Sequence, residues 1–147
     1  MYQELPWRLP ADRVAHLLAL AGRIDCAPGP GGSRCTDFTA TQALYEPELK
    51  DWFPGQWTRT MLVLLYPSAQ LVAHRDPPIS GIRCHLPLSL NDGCWVFHAG
   101  VWRQLEEGHA YYMDPTEEHG AVNWGHTVRV HLAVDTLPTK GVASLHG

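Results

Sequence analysis

The sequence predicts a mostly β protein, a two-sheet jelly roll with a helical layer packed on one sheet, and three observations predict it. From Thr58 onward the chain is a succession of short runs of β-branched and aromatic residues separated by turn signals. The 12 Pro and 13 Gly in 147 residues call for many turns and short elements. Helical spacing of apolar residues is confined to the part before residue 58.

In chain order, Val14, Leu17, Leu18, Ala21 and Ile24 recur at helical spacing between Pro10 and Ile24, and Pro10 suits a first turn. The turn-rich stretch Ala27 to Arg34 follows. Glu46 to Phe53 then predicts a short helix with Pro47 near its start and Pro54-Gly55 beyond its end. Both helices are expected before the strands begin. Eight strands are predicted: Thr58 to Tyr66, Gln70 to His74, Ile82 to Leu90, Cys94 to His98, Val101 to Leu105, His109 to Met113, Ala121 to Trp124 and Thr127 to Val134. Their turns fall at Pro67-Ser68, Pro77-Pro78, Asn91-Asp92-Gly93, Ala99-Gly100, Glu107-Gly108, Asp114-Pro115 and Gly125. The expected organisation is a single domain over 1–147: a helical N-terminal layer (1–57), a β-barrel core (58–136) and a short tail (137–147).

Composition narrows the functional classes. Apolar residues make up 45% and charged residues 18%, the balance of a globular chain able to bury a core without disulfide or metal staples. A formal net charge of −4 with eleven scattered Lys and Arg argues against a nucleic-acid surface, which needs clustered cations. The opening MYQELPWRLPADR lacks the basic start and apolar run of a secretory signal, and no stretch approaches the roughly 20 apolar residues that span a bilayer. A cytoplasmic protein without membrane partners is therefore expected. The four cysteines form no CxxC pair. Cys84 and Cys94 are expected as small buried hydrophobes, while Cys26 and Cys35 flank the turn-rich stretch, where a reducing compartment disfavours a bridge.

The residues able to do chemistry begin with Val72-Ala-His74-Arg-Asp76-Pro-Pro78. His74 and Asp76 lie two apart at a strand end, so both side chains project to one face. An imidazole and a carboxylate side by side are two-thirds of the facial triad that leaves one side of a ferrous ion open. His119, in Asp114-Pro-Thr-Glu-Glu-His-Gly-Ala121, sits at the start of a later strand and can complete it. By itself His-x-Asp is a weak motif in a chain with nine His. Its company is more specific. In Ile82-Arg83-Cys84-His85-Leu86-Pro87-Leu88, Arg83 and His85 share one face and Cys84, Leu86 and Leu88 the other. The same alternation in Thr127-Val-Arg129-Val-His131-Leu-Ala-Val-Asp135 puts Arg129 and His131 opposite Val128, Val130, Leu132 and Val134. If the apolar faces pack on helices, the cationic faces point between the sheets, where an unpaired guanidinium is costly and calls for an anion. The planar fork of Arg fits a carboxylate, and a dicarboxylate co-substrate meets that need.

Across about residues 58 to 136 the chain resembles the aspartyl/asparaginyl β-hydroxylase family. The resemblance rests on His74-x-Asp76, the Arg83-x-His85-Leu-Pro-Leu strand, Glu107-Gly-His-Ala-Tyr-Tyr-Met-Asp114, Glu118-His119-Gly-Ala-Val-Asn-Trp124 and Arg129-Val-His-Leu-Ala-Val-Asp135. It implies a double-stranded β-helix, a cupin-like jelly roll, that couples oxidative decarboxylation of 2-oxoglutarate to hydroxylation by Fe(II) and O2. It implies His74 and His119 as iron ligands with Asp76 completing the triad, Arg129 on the distal carboxylate of 2-oxoglutarate, and His85 with Arg83 nearby at the co-substrate or substrate end. The best-known animal members have glycine where Asp76 stands and carry large additional regions. With a full triad and little outside the core, this chain looks more like the family's small bacterial relatives. The expected substrate is an amino acid or an Asp, Asn or Pro side chain in a short peptide. Two other readings stay open on the residues alone: a cupin-like metalloenzyme that does not use 2-oxoglutarate, and a non-catalytic barrel that binds a carboxylate or a partner.

Among the remaining residues, Trp95, Trp102, Trp124, Tyr111 and Tyr112 are expected as core or sheet surface, and Trp7, Trp52 and Trp57 as docking points of the helical layer. His98, His109 and His126 are expected in solvent, His16 and His146 on the surface, and His131 as a partner near Arg129.

Overall fold

The computed structural model describes residues 2–29, 32–53 and 55–137. Eleven strands and two α-helices occur among them. The helices are α1 (Ala11–Leu20), continued by a 3-10 turn over Ala21–Arg23, and α2 (Phe38–Leu49). The N-terminal strands are β1 (Tyr2–Arg8), β2 (Cys26–Pro28) and β3 (Arg34–Thr36). The strands after α2 are β4 (Gln56–Leu65), β5 (Gln70–His74), β6 (Ile82–Ser89), β7 (Cys94–His98), β8 (Val101–Arg103), β9 (His109–Met113), β10 (His119–Asn123) and β11 (Arg129–Leu137). They form a seven-stranded sheet in the order β1-β9-β6-β11-β4-β3-β2 and a four-stranded sheet in the order β5-β10-β7-β8. Every pairing is antiparallel. The jelly roll predicted from the strand runs is the observed architecture.

The period-two pattern of β6 and β11 decides which way the large sheet faces. Cys84, Leu86, Leu88, Leu132 and Val134 join Val14, Leu17, Leu20, Tyr45 and Leu49 of the helices in one buried cluster. Each fully buried Leu or Val contributes roughly 1.5–3 kcal/mol relative to exposure. A one-residue slip would exchange these side chains with Arg83, His85, Arg129 and His131, so register is strongly specified. The cationic faces consequently line the space between the sheets. Trp57 lies in the helical cluster, with Trp7 and Trp52 packed against it. Tyr111 and Tyr112 are buried, while Trp95, Trp102 and Trp124 stand on the sheet surface.

The N-terminal part departs from the expectation that helices precede the strands. β1 opens the chain and pairs with β9 through Tyr2↔Met113, Gln3↔Tyr112 and Glu4↔Tyr111. Pro6 lies where that register shifts, a position open to proline on an edge strand. β2 and β3 extend the other edge, and Cys26 and Cys35 are free thiols there. The second helix also corrects the expectation: it begins at Phe38, with the Asp37 carboxylate accepting from the Ala40 amide, and Pro47 lies in its last turns. Its buried residues are Thr41, Tyr45 and Leu49, so the inward stripe contains a polar residue that weakens the apolar period. Pro54 and the segment 138–147, with His146, lie outside the described residues.

Candidate active site

The cavity between the sheets has a volume of about 540 Å³. His74, Asp76 and His119 stand at its mouth, and Arg83, His85, Arg129 and His131 line its wall. His74 ends β5 and His119 opens β10, and these two residues are register partners across the small sheet. Gly120 allows the close approach, since a Cβ there would meet the Leu71 carbonyl oxygen at 2.6 Å. Asp76, just beyond β5, is anchored by its amide to the Pro115 carbonyl at 2.8 Å, and the Arg75 guanidinium donates to the Thr116 carbonyl at 3.1 Å.

The ligand atoms of His74, Asp76 and His119 all lie within 4.8 Å of one another. In both histidines Nδ1 faces a backbone carbonyl at 2.8 Å, that of Val72 for His74 and that of Glu117 for His119. A carbonyl can only accept, so Nδ1 of each ring carries a proton, and each Nε2 is turned inward towards Asp76. The two Nε2 atoms lie 3.5 Å and 3.3 Å from the Asp76 oxygens. Burial, the largest cause, together with the neighbouring His74, holds the His119 pKa below the usual value, which favours the neutral, ligating ring. Two imidazole nitrogens and a carboxylate oxygen are a donor set suited to a ferrous ion, with the cavity side open.

The two cavity arginines have different surroundings. Arg83 forks onto Asp135, Nε to Oδ1 at 2.8 Å and Nη2 to Oδ2 at 3.0 Å, and gives Nη1 to Asp76 at 3.1 Å. Burial works against its charge, but the hydrogen bonds and charge of Asp135, then those of Asp76, raise its pKa. These donors of Arg83 go to the protein's own carboxylates, Asp135 and Asp76. Asp135 escaped notice as its partner, although it shares the inward parity of Arg129 and His131 on β11.

Arg129 is 4% exposed, its Nε has no hydrogen-bond partner, and it forms no ion pair among the described residues. Burial drives its pKa down to about 10. His85 and His131 stand beside it, their rings 6.3 Å apart. His85 is half-buried at the cavity wall, and burial first, then the charges of Arg83 and Arg129, lowers its pKa to about 3. His131 is lowered well below its usual value by burial and by Arg129, and its Nε2 is unpartnered. This part of the cavity wall thus holds a buried cation, and Arg129 Nε and His131 Nε2 have no hydrogen-bond partner.

The sequence profile of the aspartyl/asparaginyl β-hydroxylases matches residues 32–138. The chain belongs to that family. Its jelly roll is shared with solved structures of low sequence identity. A prolyl-4-hydroxylase from Pseudomonas putida is 17% identical with a TM-score of 0.60, over 94% of this chain and 93% of the other. HygX from Streptomyces hygroscopicus, solved with nickel and 2-oxoglutarate bound, is 12% identical with a TM-score of 0.66, over 95% and 83%. SnoK, a non-haem α-ketoglutarate-dependent carbocyclase from nogalamycin biosynthesis, is 12% identical with a TM-score of 0.72, over 92% and 79%. No curated protein matches the chain by sequence.

Two histidines correct the sequence reading. His98 is 1% exposed, with Nε2 3.0 Å from the Asp114 carbonyl, and it pairs in register with His119. His109 is 4% exposed and meets Glu4 at 2.8 Å, joining β1 to β9. The groups that cover them, Asp114 and β10 for His98 and β1 for His109, arise farther away in the chain, so local turn signals could not reveal their burial. His126 and His16 are exposed as expected. No helix among the described residues is long and apolar enough to cross a membrane.

Proposed function

We propose that this family member is an Fe(II)- and 2-oxoglutarate-dependent hydroxylase in which His74, Asp76 and His119 hold the iron and Arg129 receives the distal carboxylate of 2-oxoglutarate. The observation that carries the proposal is the convergence of two inward Nε2 atoms and a carboxylate within 4.8 Å in a cavity whose wall also holds a buried arginine with no anionic partner among the described residues. When bound, iron supplies the centre at which dioxygen and 2-oxoglutarate are converted to succinate and carbon dioxide while one oxygen atom enters a substrate C–H bond. The protein's residues orient and shield that chemistry. The carbonyls of Val72 and Glu117 fix the tautomers of the two ligand histidines. Arg83, itself clamped by Asp135, holds one Asp76 oxygen in place. Arg129 can make two parallel charge-assisted hydrogen bonds to a carboxylate, and the neutral His85 and His131 add polar contacts without competing positive charge. Leu71, Val96, Met113 and Ala121 complete an apolar lining that excludes water.

The substrate is an amino acid, or an Asp, Asn or Pro side chain of a short peptide. Anaerobic addition of Fe(II) and 2-oxoglutarate is expected to give a visible metal-to-ligand charge-transfer band, and air with a productive substrate is expected to give succinate. Tight 2-oxoglutarate binding without the band, together with no succinate across free amino acids and Asp-, Asn- and Pro-containing peptides, would overturn the assignment.

A further inference from the structure

A third arginine faces the same cavity. On β4, Arg59, Met61 and Val63 line it at alternate positions. Arg59 pairs in register with Asp135, which pairs with Arg83 on its other side, so the three form a row across β4, β11 and β6. That row holds two guanidinium groups and one carboxylate. Both Asp135 oxygens accept from Arg83, and Arg83 also holds Asp76. Arg59 is left with no carboxylate among the described residues. Its guanidinium lies 4.3 Å from the centroid of the Phe38 ring, and its Nε is buried without a hydrogen-bond partner. An aromatic face beneath the planar fork holds it in place and leaves its edge donors free for a ligand.

2-Oxoglutarate cannot satisfy this group as well as Arg129. It has two carboxylates: under the functional reading above, one belongs at the metal and the other at Arg129. The overall charge of −4 rules out a generally basic surface as the reason for an arginine here.

We infer that Arg59 is the residue that selects the substrate, and that the substrate carries a free carboxylate, which Arg59 takes in a fork-to-fork pair over Phe38. This inference rests on the functional reading above. The carboxylate comes either from the α-carboxyl of a free amino acid or from an aspartyl side chain. Amides and peptides whose only reacting residue is Asn or an internal Pro are excluded. Pro28, Phe38, Met61 and Val63 around it suit a short apolar or compact remainder.

The test uses the full chain loaded with Mn(II) in place of Fe(II). Equilibrium dialysis with 2-oxoglutarate alone checks the underlying reading, and failure to bind sinks both. With 2-oxoglutarate saturating, calorimetric titrations then compare the free amino acids with their amides, and end-capped Asp tripeptides with their Asn counterparts. At least one acid is expected to bind, with its amide at least tenfold weaker. Free amino acids as the binders identify the α-carboxylate, and capped Asp peptides the side-chain one. Arg59→Met is expected to weaken that acid at least tenfold and to leave its amide unchanged, with Arg59→Lys recovering part of the loss. Under Fe(II) turnover the Arg59→Met defect is expected mainly in KM. Equal binding of acid and amide, undiminished acid binding by Arg59→Met, or no acid bound to protein that does hold 2-oxoglutarate would each overturn the inference while leaving the functional reading intact.

Discussion

Arg83 and Arg129 lie on neighbouring strands of one sheet, face the same cavity and are almost equally buried, at 6% and 4% exposure. Arg83 gives hydrogen bonds to two carboxylates, whereas Arg129 has no anionic partner among the described residues. Their pKa values move in opposite directions for that reason: the pairing outweighs burial at Arg83, and burial prevails at Arg129. The contrast separates a charge that completes the folded protein from a charge that waits for a ligand. Burial alone does not tell the two apart; only the partner does.

The comparison breaks if the same substitution acts alike at both sites. Arg83→Met leaves Asp135 buried without its partner, and loss of one member of such a pair costs about 3–5 kcal/mol. Arg129→Met removes an uncompensated buried cation, so the ligand-free protein is expected to be as stable as the parent or more so. Urea melts of both variants measure the difference, and equal losses would end the distinction. Ligand binding should show the reverse order at Arg129. Removing one side of a buried charge pair costs about 2–5 kcal/mol, so Arg129→Met should weaken 2-oxoglutarate by roughly 30-fold to a few thousand-fold in equilibrium dialysis.

Much of this contrast was legible in the sequence, and its limits have physical causes. Two strands with clean apolar faces announced that Arg83, His85, Arg129 and His131 share an inner wall, because period two leaves them nowhere else. His74, Asp76 and His119 were found from donor type and strand-end position, and the structure brings their ligand atoms together. The state of each arginine was not legible, since pairing depends on which distant carboxylate arrives at the same level. Asp135 sits opposite Arg83 only through the β6–β11 register. β1 was hidden by Pro6 and mixed composition, and the start of α2 by its partly polar buried stripe.

The histidines beside Arg129 sharpen the comparison by pH. His85 and His131 are held neutral in the folded protein, with pKa values below the ordinary 6.5, about 3 in the case of His85. Below pH 6.5 the unfolded chain takes up protons that the folded chain refuses, so stability is full above that pH and declines as pH falls towards 3. Each such group contributes at most about 1.4 kcal/mol per pH unit. His131→Asn should therefore flatten the loss of stability between pH 6 and 4, measured by chemical denaturation at each pH. An unchanged slope would mean that His131 gains a proton when folded as readily as when unfolded. Bound 2-oxoglutarate supplies a negative charge next to these rings, so it should flatten the same slope in the parent protein.

The smallest expected effect tests whether the arginine differences merely report general loosening. The Asp37 carboxylate caps α2 by accepting from the Ala40 amide at 2.9 Å, and the exposed bond serves only the helix end. Replacing such a cap by Ala typically costs about 1 kcal/mol. Asp37→Ala should therefore lower stability by that amount while leaving 2-oxoglutarate affinity at the parental value, because α2 lies against the outer face of the large sheet and Arg129 points inward. If Asp37→Ala weakened 2-oxoglutarate in proportion to its loss of stability, the Arg129 defect could follow from softening of the sheet, without a vacant charge. If affinity holds while stability falls, the two quantities are separable in this fold, and the unpaired guanidinium is left as the cause of the binding loss.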